Sequence, residues 1–147
     1  MSVVVREERR FMGNKRLVSG VGVNDADYVV KVSETIGYMD GKQKRKLVWV
    51  CPFYQTWTSM LKRGYSNKLK EKYPTYKDVT VHKDWHLFSN FKKWMEKQDW
   101  EGKQLDKDIL FCGNKEYSQD KCVFVLQKTN LFLTERNSMR GEFPTGV

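Results

Sequence analysis

Apolar residues change their rhythm several times along this chain, and each change predicts an element. Tyr28-Val-Val-Lys-Val and Leu47-Val-Trp-Val read as short strands on either side of Asp40-Gly41, a dipeptide suited to a two-residue hairpin turn. Lys42-Gln-Lys-Arg-Lys46 lies between that turn and the second strand, so the predicted hairpin has a basic tip. Cys51-Pro52 ends the strand pattern. From Phe53 the period becomes helical, with Phe53, Trp57, Met60 and Leu61 on one side and Gln55, Ser59, Lys62 and Arg63 on the other. Gly64 is the expected C-cap, and Tyr65 to Tyr76 reads as a polar loop. Val79-Thr-Val81 is a short extended piece. A second helix is expected from Asp84, an N-cap or first-turn acid, to about Gln98. Its Trp85, Phe88, Phe91, Trp94 and Met95 fall at spacings of three and four, which makes that stripe core rather than a base-stacking platform.

After the turn at Asp99 to Gly102, residues 105–130 read as a strand, a Gly113-Asn114 turn, a second strand and the start of a helix. That helix is expected to run through Phe132 and Leu133 toward Arg136. The fold class is therefore α+β: a small β-hairpin, helices and a C-terminal ββα unit. Residues 1–19 are expected to be a basic flexible arm, 20–136 one α+β domain and 137–147 a tail.

Composition supports a core of this size, with five Trp, seven Tyr and eight Phe in 147 residues. The net charge of +9 is unevenly placed. Residues 1–72 hold 15 Lys/Arg against 7 Asp/Glu, and residues 73–147 hold 12 against 11. Segregated positive charge points to a polyanion, with double-stranded DNA the leading partner and a host protein the alternative. Lys42, Lys44, Arg45 and Lys46 of the hairpin, with Lys68, Lys70 and Lys72 of the following loop, are the candidate DNA contacts. Each set also reads as an ordinary solvated surface. No apolar run is long enough for a membrane span, and Met1 to Arg10 is too charged for a signal peptide, so the expected location is the cytoplasm.

Three cysteines, an odd number, suit a reducing compartment. Cys51, Cys112, Cys122, His82 and His86 are numerous enough for zinc, but no Cys-x-x-Cys pair is present and zinc is not expected. Cys51 and Cys122 read as small buried hydrophobes. Gly20-Val-Gly22 lacks the third glycine of a phosphate-binding loop.

Three stretches carry a family resemblance: Cys51 to Ser66, Val81 to Trp94, and Leu105-Asp-Lys-Asp through Cys122-Val-Phe-Val. Together they resemble the HNH-type proteins of bacteriophages, including those that join an HNH unit to a DNA-binding AP2 domain. Arg140-Gly-Glu-Phe-Pro-Thr-Gly-Val147 is similar to the opening of an AP2 domain. The resemblance implies a ββα-metal fold and a metal-dependent endonuclease, active in the bacterial host cytoplasm.

In such nucleases the first strand presents Asp-His. The Asp binds a divalent metal, Mg2+ or a similar ion, and the His activates water. Asp106 matches the Asp and Asn130 the metal-binding Asn of the helix, while Lys107 stands in place of the His. A lysine, with a reference pKa of about 10.4, is a poor general base near neutrality. Asp108 is a second candidate base or ligand. On ideal strand alternation it shares a face with Asp106, leaving Lys107 pointing away and free for a phosphate. The same residues also suit plain structural roles: Asp-Lys-Asp as a charged strand end, Asn114 as a turn residue, Asn130 as a helix cap. Two functions follow. One is a phage-type HNH-like DNA endonuclease. The other is a catalytically inactive HNH-fold binder of nucleic acid or inhibitor of a host protein, as in host takeover.

Overall fold

The computed structural model of the chain describes residues 16–129, so most of the expected arm, Asn130 with the expected helix onward to Arg136, and the expected tail lie outside the described residues. The architecture is α+β, with three helices, α1 to α3, and three separate two-stranded sheets among the described residues. The expected hairpin is present, but its strands are longer than the apolar runs alone mark out. β1 spans Lys31–Met39 and β2 spans Lys42–Val50, antiparallel across an Asp40-Gly41 turn. Asp40 and Gly41 both take positive φ, 53° and 72°, the requirement of the tight turn that matches strand twist. The basic run Lys42 to Lys46 is therefore strand, not loop. Every β2 residue from Lys42 to Trp49 is exposed, so the hairpin is a ribbon with solvent on both faces.

At the ribbon's base the Cys51 amide donates to the Val30 carbonyl at 2.7 Å, and both residues are buried. Pro52 then opens α1, Pro52–Tyr65, where its missing N–H costs nothing. Trp57, Met60 and Leu61 are buried as the stripe predicts, and Tyr54 joins them. Gly64 is not the C-cap. It lies inside the helix and faces Val81, whose Cγ2 would sit 3.4 Å from an added Cβ, so its small size lets the next strand approach α1. The segment expected as a loop contains α2, Asn67–Lys72. Its N-cap is Ser66, whose hydroxyl accepts from the Leu69 amide at 3.3 Å. A 3-10 turn at Pro74–Tyr76 follows, then β3, Thr80–Val81.

The second predicted helix is broken in two. Lys83–His86 is a 3-10 turn, and α3 proper runs Phe88–Glu96, so Asp84 does not cap it. The break has a backbone cause. Val23 donates to the His86 carbonyl at 2.7 Å and accepts from the Phe88 amide at 3.1 Å, bonds a continuous helix would use internally. The cap comes instead from Asp25, whose carboxylate accepts from the Ser89 amide at 2.8 Å and also from its hydroxyl. A carboxylate at a helix N-terminus satisfies free amides and complements the dipole.

Trp85, Phe88, Phe91 and Met95 are buried against α1, as the stripe requires. Trp57 donates its indole N–H to the Trp85 carbonyl at 2.7 Å, tying α1 to the 3-10 turn. Each such fully buried large side chain contributes about 1.5–3 kcal/mol. Gly22 packs into this core where an added Cβ would lie 2.4 Å from Leu61 and 2.9 Å from Trp57. Val18 already packs on the core, two residues before the expected domain start.

The last segment supplies β4, Gln104–Asp106, β5, Glu116–Tyr117, and β6, Val123–Val125. β4 pairs antiparallel with β6, and β5 pairs parallel with β3. A helical turn opens at 127–129. Strand, strand and helix thus follow in the expected order, although a 16-residue connection, rather than the Gly113-Asn114 turn alone, joins the paired strands. No helix among the described residues is long and apolar enough to cross a membrane.

Candidate nucleic-acid interface and the Asp106 loop

Alternation along β2 sorts the candidate contacts onto two faces. Lys42, Lys44 and Lys46 project from one, opposite Met39, Gly37 and Glu34 of β1. Gln43, Arg45 and Leu47 project from the other, opposite Tyr38, Thr35 and Ser33. The lysines stand about 6.7 Å apart, twice the rise per strand residue. On the opposite face Arg45 donates through Nε and Nη2 to the Gln43 side-chain oxygen Oε1, at 3.1 and 2.9 Å, and Gln43 donates through Nε2 to the Thr35 hydroxyl. The ribbon also exposes large apolar groups, among them Tyr38 at 75% and Met39 at 60% beside the turn.

The second basic set is less uniform. Lys68 and Lys72 are exposed on α2, and Lys72 lies 5.2 Å from the Tyr73 ring centre. Lys70 is turned inward, its ammonium donating to the carbonyls of Lys77 at 3.0 Å and Val79 at 3.4 Å. It anchors the segment before β3 rather than facing a ligand.

β4 ends where Asp106 folds its carboxylate back on the chain. Oδ2 accepts from the amides of Asp108 at 2.8 Å and Ile109 at 2.7 Å, and the residue is buried. Strand alternation therefore stops at Asp106, and the orientations expected for the next two residues do not hold. Lys107 is buried, and its ammonium lies 2.9 and 3.0 Å from the two oxygens of Asp108. It is not free for a phosphate, and Asp108 is not free beside Asp106. Asn114 is more than a turn residue. Its amide donates to the carbonyls of Lys107 at 3.1 Å and Glu116 at 2.7 Å and accepts from the Glu116 amide at 3.0 Å, closing the loop that Asp106 opens.

Two residues join this cluster from outside the motif. Arg63, on the face of α1 expected to be solvated, donates to the Tyr117 hydroxyl at 3.3 Å. Burial works against the Arg63 charge, but Tyr117, then Tyr76 and Asp106, raise its pKa overall. Burial also raises the Tyr117 phenol, with Arg63 opposing. The Lys107 ammonium lies 5.8 Å from the centre of the same Tyr117 ring. Separations of 54 residues for Arg63 and Tyr117 leave no sequence spacing that marks them.

The oxygen donors that this segment offers a divalent ion are, among the described residues, Asp106 and Asp108. Such ions take oxygen ligands, and an ammonium on both oxygens of Asp108 supplies the positive charge a metal would bring. Asp106 keeps one carboxylate oxygen, Oδ1, that takes neither amide, and Asn130 lies outside the described residues. Among the described residues no three His, Cys, Asp or Glu side chains form a metal-holding group. His86 contacts the Val81 carbonyl at 3.0 Å, and His82 accepts from the Asp84 amide at 3.2 Å. Cys51 is buried with its sulfur 3.1 Å from the Tyr28 hydroxyl, Cys122 is buried, and Cys112 is exposed.

Compared with known proteins, the chain matches no family model, no curated protein and no solved structure.

Proposed function

We propose that this chain is a phage-type DNA-binding protein that holds duplex DNA through the β1–β2 ribbon, with the Asp106–Asn114 loop as scaffold. The observation that carries the reading is the row Lys42, Lys44, Lys46 on one face of an exposed strand. Three ammonium groups at a regular repeat, on a strand exposed from Lys42 to Trp49, suit a phosphate backbone.

The test is fluorescence anisotropy of a labelled duplex at increasing salt. Each lost phosphate contact reduces the slope of log K against log salt by about 0.9, so Lys42→Ala, Lys44→Ala and Lys46→Ala together lower it by up to about 2.7. An unchanged slope in the triple variant removes the ribbon from the interface. A salt-insensitive complex with a host protein, and no duplex binding, supports the inhibitor function instead.

A second reading, the HNH-like endonuclease using Mg2+, is favoured by one observation. Asp106 ends the first strand of a β4–β6 pair that leads into a helical turn, the order the resemblance implies. Incubation with supercoiled plasmid, with Mg2+ or Mn2+ and with EDTA, separates the two. Metal-dependent nicking that Asp106→Asn abolishes, with the fold retained, establishes the nuclease; binding without nicking leaves a DNA-holding protein.

A further inference from the structure

The geometry points to a sequence-reading role for the second face of the ribbon: Arg45, positioned by Gln43 and Thr35, contacts a guanine edge in the DNA major groove. This rests on the DNA-binding reading above and goes beyond it, from holding the backbone to recognising bases.

The two faces of β2 differ in kind. Lysines are point charges on flexible stems and carry little directional information, which suits phosphate. The opposite face carries a planar, five-donor fork. Its Nε and one Nη2 hydrogen are engaged by Gln43, which is in turn held by Thr35 across the strand pair. The remaining hydrogens of the guanidinium stay on its outer edge. An exposed arginine ordinarily loses rotamer freedom when it binds. Here the bonds to Gln43, itself held by Thr35 of β1, restrict it beforehand, which lowers the ordering cost of recognition.

Scale and chemistry agree with this orientation. The major groove is about 12 Å wide and admits a two-stranded ribbon, and guanine presents two adjacent acceptors there, O6 and N7, that match an arginine fork. Leu47 lies two residues along on the same face and is 52% exposed, placed for apolar contact with a thymine methyl. With this face toward the bases, the long stems of Lys42, Lys44 and Lys46 extend from the other side toward the phosphates walling the groove.

The experiment is selection of bound sequences from a duplex pool with a randomised centre, using the full chain, Arg45→Lys and Lys44→Ala. The wild type is expected to enrich a motif containing guanine. Arg45→Lys keeps the charge but loses the fork, so its preference for that guanine falls about tenfold while its salt slope is unchanged. Lys44→Ala weakens all sequences alike. Both substituted residues are on the exposed ribbon, so the core is undisturbed. Double-stranded RNA, whose deep, narrow major groove side chains cannot read, is expected to compete poorly with the selected duplex. Salt-dependent duplex binding without any enriched motif overturns base reading and leaves backbone binding standing. The same motif enriched by Arg45→Lys, or equal competition by double-stranded RNA, also overturns it. Loss of all duplex binding removes both readings.

Discussion

The buried ammonium of Lys107 rests on both carboxylate oxygens of its own neighbour, Asp108, at 2.9 and 3.0 Å. The residue standing where a catalytic His is expected is thus neutralised locally. The Asp108 side chain is 46% exposed, so water screens the pair. Asp108→Ala is expected to destabilise the protein by about 1 kcal/mol by leaving Lys107 without its partner, whereas Lys107→Met should be nearly neutral. Urea unfolding midpoints check this. A larger loss for Lys107→Met than for Asp108→Ala would show that the ammonium does more than balance charge.

Asp106 carries a structural duty apart from any chemistry. Asp106→Ala removes the acceptor for two amides at the end of β4 and is expected to cost about 2 kcal/mol. Asp106→Asn keeps an acceptor oxygen and should cost less. Equal unfolding midpoints for the two variants would contradict the turn-forming role.

Gly22 fills a position with no room for a methyl group. Gly22→Ala places carbon 2.4 Å from Leu61 and 2.9 Å from Trp57, both fully buried, so neither can move aside cheaply. Overpacking of this kind costs about 1–3 kcal/mol. Thermal unfolding reads the loss; a wild-type midpoint would mean residues 21–23 do not pack against α1 as described.

The three thiols should react at different rates. Cys112 is exposed, while Cys51 and Cys122 are buried, so one thiol per chain labels quickly with iodoacetamide and two only on unfolding. Rapid labelling of all three would show that the core is open.

Burial pushes the Cys122 thiol up to about 12 from 9.0, a Ser118 backbone hydrogen bond opposing and Asp106 adding. The folded form keeps a proton the unfolded chain releases. That contribution is full below pH 9.0 and is lost as the pH rises toward about 12. Tyr28, raised by burial and by the Cys51 thiol, and Tyr117 act in the same direction above 10.0. Urea midpoints should therefore fall progressively above pH 9.0, and a flat profile would contradict these environments.

The sequence made some of this legible because certain signals are local. Asp40-Gly41 marked the hairpin turn, and the stripes on α1 and α3 marked the helix faces that meet in the core. What was hidden depends on partners far along the chain. Val23 breaks the second helix and Asp25 caps it, yet neither carries a helix signal at its own position. Five polar residues around a single Leu69, capped by Ser66, carry no apolar period, so α2 read as loop. Alternation misplaced Lys107 and Asp108 because Asp106 ends the strand by bonding the next amides. Arg63 fitted the solvated side of its helix until Tyr117 was brought to it by β3–β5 pairing.

The exposed ribbon has a consequence for how this protein can change. Its outward residues share no side-chain packing with the aromatic core, so substitutions there are largely released from the demands of folding. A lineage can exchange Arg45, Gln43 or Leu47 one at a time and keep a working scaffold throughout. Partner choice and architecture are inherited on the same chain yet are open to selection almost separately.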